Sequence, residues 1–162
     1  MKTLIVYYSW SGNTRRIARI IHKLVSGDIV ELEPVNPYPQ SYNATVEQAK
    51  REIQSGYKPP LKTEIDNIEH YEIIFIGSPN WWGSLAPPVA SFLSQYDLSG
   101  KTIIPFCTHG GGGKQKVIEG MKALCPNSKI LPEFVVYGSG ENNLEDKVSE
   151  WLRQFWNKVS EK

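Results

Sequence analysis

Three short stretches of this 162-residue chain carry residue types that could do chemistry. The first, Ser9-Trp10-Ser11-Gly12-Asn13-Thr14, sets three hydroxyls around one glycine. Hydroxyls donate to anionic oxygens, and glycine lets the backbone approach whatever sits there. The second, Pro79-Asn80-Trp81-Trp82-Gly83, places two indoles side by side, fit either for stacking on a flat ligand or for packing. The third, Thr108-His109-Gly110-Gly111-Gly112-Gly113, offers bare backbone N–H groups beside an imidazole. Its glycines leave nothing in the way of a planar ring.

The elements that must position these stretches follow from periodicity. Thr3–Tyr7 is an apolar, β-branched run and predicts a strand; Ile17, Ile20, Ile21, Leu24 and Val25 predict a helix over Thr14–Ser26. The first stretch is therefore a strand-to-helix turn, which also aims free N–H groups and the positive helix end at one point. That is the setting of a phosphate cradle, although the same residues serve as ordinary helix caps. Arg15, Arg16 and Arg19 lie off the apolar stripe as a solvated face, with Arg15 near enough to the turn to assist an anion. Ile29–Glu33 predicts a second strand, and Tyr42, Val46, Ala49 and Ile53 predict the core stripe of a helix over Ser41–Gly56. Lys58 to His70 reads as a connector packed on the surface. Glu72–Gly77 is a third strand, followed by a helix opening on Pro87 and Pro88. Thr102–Thr108 is a fourth strand, with a bulge or kink expected at Pro105. A helix through Val117, Ile118, Met121 and Leu124 leads to a fifth strand over Ile130–Tyr137, placed at a sheet edge by Pro132. A final helix runs through Leu144, Val148, Leu152, Phe155 and Val159.

This alternation predicts one doubly wound α/β domain over residues 1–162, with a parallel five-stranded sheet and helices on both faces. In such a sheet ligands bind beyond the carboxyl ends of the strands. All three stretches follow strand carboxyl ends, so they should converge. A phosphate cradle, indoles for stacking and unobstructed backbone donors together match flavin mononucleotide (FMN).

Bulk composition sets the outer limits. Hydrophobic residues make 40% of the chain and charged residues 22%, with a formal net charge of +1, which argues against a nucleic-acid or membrane partner. Cys107 and Cys125 form neither a disulfide framework nor a zinc motif, and no metal site is expected. With no leader-like or membrane-spanning run, a cytoplasmic location is expected. A receiver domain would need acids after the first strand, and a dinucleotide-binding domain G-x-G-x-x-G. A P-loop would need Gly-Lys-Ser/Thr, whereas Gln115 follows Gly113-Lys114. None of these patterns is met.

Ser9-Trp10-Ser11-Gly12-Asn13-Thr14 resembles the phosphate-binding loop of flavodoxins, and Trp82-Gly83 resembles the Trp-Gly of their second flavin loop. The resemblance extends over nearly the whole chain and is to the short-chain type. It implies strand order 2-1-3-4-5 and noncovalent FMN. Ser9 to Thr14 would bind the phosphate, Trp81 or Trp82 would flank the ring, and Gly83 would turn its carbonyl to the flavin N5–H. Pro79, Asn80, Thr108, His109, Gly110, Gly111 and Gly112 would complete the site. His109 would stand near the pyrimidine end of the ring, Tyr38 could close over it, and Cys107 reads as structural. No residue is assigned as catalytic.

Two departures mark the chain as atypical. Flavodoxins carry acids after the Trp-Gly, where Ser84-Leu85-Ala86-Pro87 stands here, and a Tyr with acids in the third loop, where the glycines stand. The first expectation is an FMN redox protein passing electrons to a partner protein or a small acceptor. The alternative is an NAD(P)H-dependent FMN oxidoreductase acting on quinone- or nitro-type acceptors, and a third is a flavin-free binding module of the same fold.

Overall fold

The computed structural model describes residues 2–160, so Met1, Glu161 and Lys162 of the expected domain lie outside the described residues. Its sheet is built from the apolar runs. β1 (Lys2–Tyr7) pairs in parallel with β2 (Asp28–Glu31) on one side and β3 (Tyr71–Trp81) on the other. β3 in turn pairs with β5 (Thr102–His109), and β5 with the last strand. The order is the expected 2-1-3-4-5, with two differences.

The last strand is in two pieces, β6 (Lys129–Ile130) and β7 (Phe134–Tyr137). Pro105 accounts for the break. Ile103 and His109 turn their carbonyls to this edge, accepting from Leu131 and Gly138 at 2.9 and 2.8 Å. Pro105 shares their parity, so its missing donor faces the same edge, where the partner strand is interrupted and Pro132 sits. The bulge expected in β5 is absent: its register with β3 runs unbroken from Ile73↔Thr102 to Pro79↔Thr108. The second difference is β4 (Ser84–Leu85), a short strand antiparallel to the end of β3.

Helices cover both faces. α1 (Asn13–Val25) and α5 (Leu144–Arg153) pack Ile17, Ile21, Val148 and Leu152 against Ile5, Ile73, Phe75 and Ile104. α3 (Pro87–Gln95) and α4 (Val117–Leu124) pack Val89, Phe92, Val117 and Met121 against Leu4, Val6, Ile74 and Ile76. Burying strands on both faces is why they read as continuous apolar runs. The final helix is broken: α6 (Trp156–Ser160) restarts after Phe155, which turns inward against Trp151 with ring centroids 5.5 Å apart. The connector from Lys58 packs as expected, bridging Leu61 to Pro34 and burying Ile65 before a 3-10 turn at Ile68–His70.

α2 (Tyr42–Ser55) departs most from its expected role. Its buried residues are Thr45, Ala49 and Glu52, whereas Tyr42 is 68% exposed and Val46 half-buried. The polar members of the buried face are paired. Thr45 donates to the Pro39 carbonyl at 2.7 Å, and Glu52 accepts from Tyr38 at 2.5 Å and Gln48 at 3.0 Å.

Candidate functional site

β1 delivers the chain to the first stretch and α1 takes it away. Gly12, at φ 100°, is the helix N-cap, and no side chain caps α1. Glycine has no side chain to offer, and the nearby Ser9 hydroxyl accepts the Gly12 N–H at 3.1 Å instead of a helical N–H. The positive end of α1 is thus left for something else. Thr14 is buried, and its hydroxyl lies 2.8 Å from that of Thr108, tying the first stretch to the third. Arg15 is not free to assist an anion as expected. It forms a two-pronged pair with Glu31, Nε and a terminal nitrogen each 2.7 Å from a carboxylate oxygen. Burial pushes the Glu31 carboxyl up, but Arg15 and the hydroxyl of Tyr7 hold it below the usual range. Burial and Glu31 raise the Tyr7 phenol to about 12.

The second stretch is a β-hairpin and not the open loop expected. β3 runs on through Trp81, β4 returns, and Trp82 and Gly83 form the two-residue turn with φ 55° and 75°. A turn with positive φ at both central positions suits the twist of a hairpin and strains every residue but glycine, asparagine or aspartate. Trp82 is held there: its indole N–H donates to the Val46 carbonyl at 2.9 Å, and the Lys50 ammonium lies 5.2 Å over its ring. Trp81 points the other way, edge-on to Tyr8 at 5.5 Å and to Tyr38 at 5.0 Å. Tyr38 is buried behind Trp81 with its hydroxyl on Glu52, so it does not close over the site. Burial is the main cause of the raised phenol pKa values of Tyr8 and Tyr38, which makes both weaker acids.

The hairpin and the third stretch are pinned together. The Gly83 carbonyl accepts the Lys116 N–H at 2.9 Å, and the Asn80 amide donates to the Gly113 carbonyl and to Gln115, each at 2.8 Å. Gly83 therefore turns its carbonyl to the start of α4. A Cβ at Gly112 would lie 2.9 Å from Gln115, so a side chain there would displace the contact that sets the loop. His109 ends β5, with its ring edge-on to Tyr137 at 5.7 Å. Cys107 is buried two residues earlier, its thiol pushed up to about 12 by burial. His22 hydrogen-bonds the Gly27 carbonyl, and His70 is exposed, both away from these loops.

The three stretches enclose a cavity of about 670 Å³ at the carboxyl edge of the sheet. Trp10, Ser11, Asn13, Thr14, Pro79, Asn80, Trp81, Trp82, Gly83, Thr108, His109, Gly110 and Gly112 line it, while Ser9, Gly12 and Gly111 shape the turns behind the lining. Sequence reasoning missed Tyr42, Thr45, Val46 and Ala49, which make α2 a wall of the cavity, and Gln115, Tyr137 and Gly138. No Asp, Glu, Lys or Arg among the described residues lines it. Among those residues, too, no cluster of His, Cys, Asp or Glu is suited to a metal ion, and no helix is long and apolar enough to cross a membrane.

Comparison with known proteins agrees with this architecture. A family model described as flavodoxin matches residues 2–155. A candidate flavoprotein from Bacteroides eggerthii is 27% identical, with a TM-score of 0.83 over 94% of this chain and 96% of that one. A flavoprotein in complex with FMN from Lactobacillus acidophilus is also 27% identical, with a TM-score of 0.71 over 91% of this chain and 98% of that one. An NAD(P)H dehydrogenase (quinone) from Cupriavidus metallidurans is 27% identical over 96 residues, 58% of this chain and 46% of the relative, so the chain spans about half the length of that protein. The chain belongs to the flavodoxin family.

Proposed function

We propose that this member of the flavodoxin family binds FMN noncovalently and passes electron pairs to small, neutral, flat acceptors of the quinone type, with NAD(P)H as the electron source. The observation that carries this reading is the cavity wall. It joins an uncapped helix start to a slot lined by indoles, two phenols and glycines, with no Asp, Glu, Lys or Arg side chain among the described residues.

The residues present fit the cofactor. Ser11, Asn13 and Thr14 with the first turn of α1 would hold the phosphate by hydroxyls and backbone donors. Trp81 and Trp82 would bound the ring, and Gly110 and Gly112 would let backbone N–H groups reach its polar edge. Bound there, the flavin supplies reversible one- and two-electron redox chemistry. The protein decides what reaches it. A wall without Asp, Glu, Lys or Arg disfavours ionic acceptors by desolvation cost and admits neutral ones. α2, through Tyr42 and Val46, offers apolar surface beside the indoles. The relative named for quinone reduction supports this reading over one-electron transfer.

One-electron transfer to a partner protein is the second reading. Tyr42, Trp82 and Tyr137 favour it, for they leave an exposed aromatic collar around the mouth of the cavity. One purified sample separates the readings. Flavin absorption on isolation, or on adding FMN, is expected; no binding of FMN overturns both. Steady NADPH oxidation with a neutral quinone supports the first reading. Failure to turn over, with two well-separated one-electron steps in a redox titration, overturns it in favour of the second.

A further inference from the structure

We propose that His109 delivers the proton that an acceptor in this cavity needs when it takes up two electrons. This rests on the reading above and names the residue that completes its chemistry. Reducing a neutral quinone to a hydroquinone consumes two electrons and two protons. A flavin held in this cavity would supply both electrons and one proton, as a hydride equivalent. The other proton has to come from the wall or from solvent.

The wall offers one candidate. Among the described residues lining the cavity, the ionisable side chains are Tyr42, Tyr137 and His109. Imidazole is the group whose charge changes near neutrality. The two phenols donate hydrogen bonds without changing charge there.

The backbone prepares that imidazole for release. The Gly111 N–H donates to His109 Nδ1 at 3.0 Å, which requires a lone pair on Nδ1. The neutral ring therefore carries its proton on Nε2. Uptake of a second proton on Nδ1 breaks the Gly111 bond, and return to the neutral ring restores it. Loss of the Nδ1 proton thus regains one backbone hydrogen bond. Tyr137 of β7 stands edge-on to the ring, with centroids 5.7 Å apart. Charge does not counter the effect from the cavity side. On the same loop Lys114 is paired with Glu133, and Lys116 is exposed. In balance, imidazolium gives its Nδ1 proton, the one whose loss restores the Gly111 bond, to a quinone oxygen, both carbonyls end as hydroxyls, and solvent recharges the neutral imidazole.

Two measurements test this on the full chain. Nitrogen NMR of the histidine rings, with and without FMN, is expected to show neutral His109 protonated on Nε2, and the Gly111 amide shifting with the His109 titration. A ring protonated on Nδ1, or a Gly111 amide indifferent to pH, overturns the proposal without reference to activity. The second measurement is the pH profile of quinone reduction by FMN-loaded wild type and His109→Asn. The Asn carbonyl can accept the Gly111 N–H, so the variant keeps the loop and loses the proton. Wild-type kcat should fall as pH rises through the His109 midpoint. H109N should still bind FMN, run about 100-fold slower than wild type when saturated with FMN, and show no such limb. FMN binding with full rate in H109N overturns the proposal alone, whereas no FMN binding by wild type overturns the reading beneath it as well.

Discussion

Replacing Trp82 by Ala tests whether the hairpin turn holds the cofactor. The side chain is 52% exposed, its indole N–H on Val46 and Lys50 over the ring. One face of that exposed half presents on the order of 60 Å² to a ligand, from the usual area of an indole. At about 25 cal/mol per Å² its burial is worth about 1.5 kcal/mol. Aromatic stacking adds about 0.5–1.5 kcal/mol. Together these give about 2–3 kcal/mol, or a Kd for FMN weakened about 30- to 140-fold. Quenching of flavin fluorescence on titrating the FMN-free protein measures it directly. Stability should hold within about 0.5 kcal/mol, because the ring is exposed and alanine keeps the strained turn conformation. A Kd within about threefold of wild type would refute the reasoning. The ring would then be held by the walls alone, and Trp82 would be a clasp on α2.

Trp81→Ala should behave in the opposite way, because its ring is wedged between Tyr8 and Tyr38; a loss of about 2–4 kcal/mol in urea unfolding is expected. Thr14→Val keeps the shape but leaves the buried Thr108 hydroxyl without its partner at 2.8 Å. It should cost about 1–3 kcal/mol of stability and weaken FMN binding, both read from denaturation with and without cofactor. The Arg15–Glu31 pair sets an acid limit. The Glu31 carboxyl is held below its ordinary value of 4.5 in the fold, so its contribution is complete above that pH. It is lost as pH falls through the depressed folded value. Unfolding midpoints between pH 6 and 2 should show this loss in wild type, and Glu31→Gln should flatten that part of the curve.

Much of the fold was legible because its signals have few other uses. A β-branched run such as Ile73–Ile76 between turn residues fits little besides a buried strand, and Pro87-Pro88 fits little besides a first helical turn. The errors fell where two residues compete for one geometric defect. Pro105 and Pro132 both remove a ladder donor, and the sequence alone does not say which strand yields. The central strand is pinned on both sides, so the edge strand gave way and split into β6 and β7. The hairpin went unseen for a related reason: a type I′ turn is announced by Asn-Gly or Asp-Gly, and tryptophan at its first central position is not a turn signal.

Most of the cavity lining was legible and one wall was not, and α2 shows why. The loop residues betray themselves, since adjacent tryptophans and a run of glycines have little structural use together. α2 contributes Tyr42, Thr45, Val46 and Ala49, types that a core would use equally well. Its stripe through Tyr42, Val46, Ala49 and Ile53 has the spacing of a core-facing helix. The face that is buried runs instead through Thr45, Ala49 and Glu52. That second row was open to reading. A helix whose more apolar stripe is left half-exposed, while a carboxylate is buried with Tyr38 and Gln48 as partners, keeps its apolar side for another occupant. In this chain Tyr42 and Val46 of that side line the cavity together with the two indoles. The position of α2 therefore belongs to the recognition of the ligand as much as to the packing of the fold.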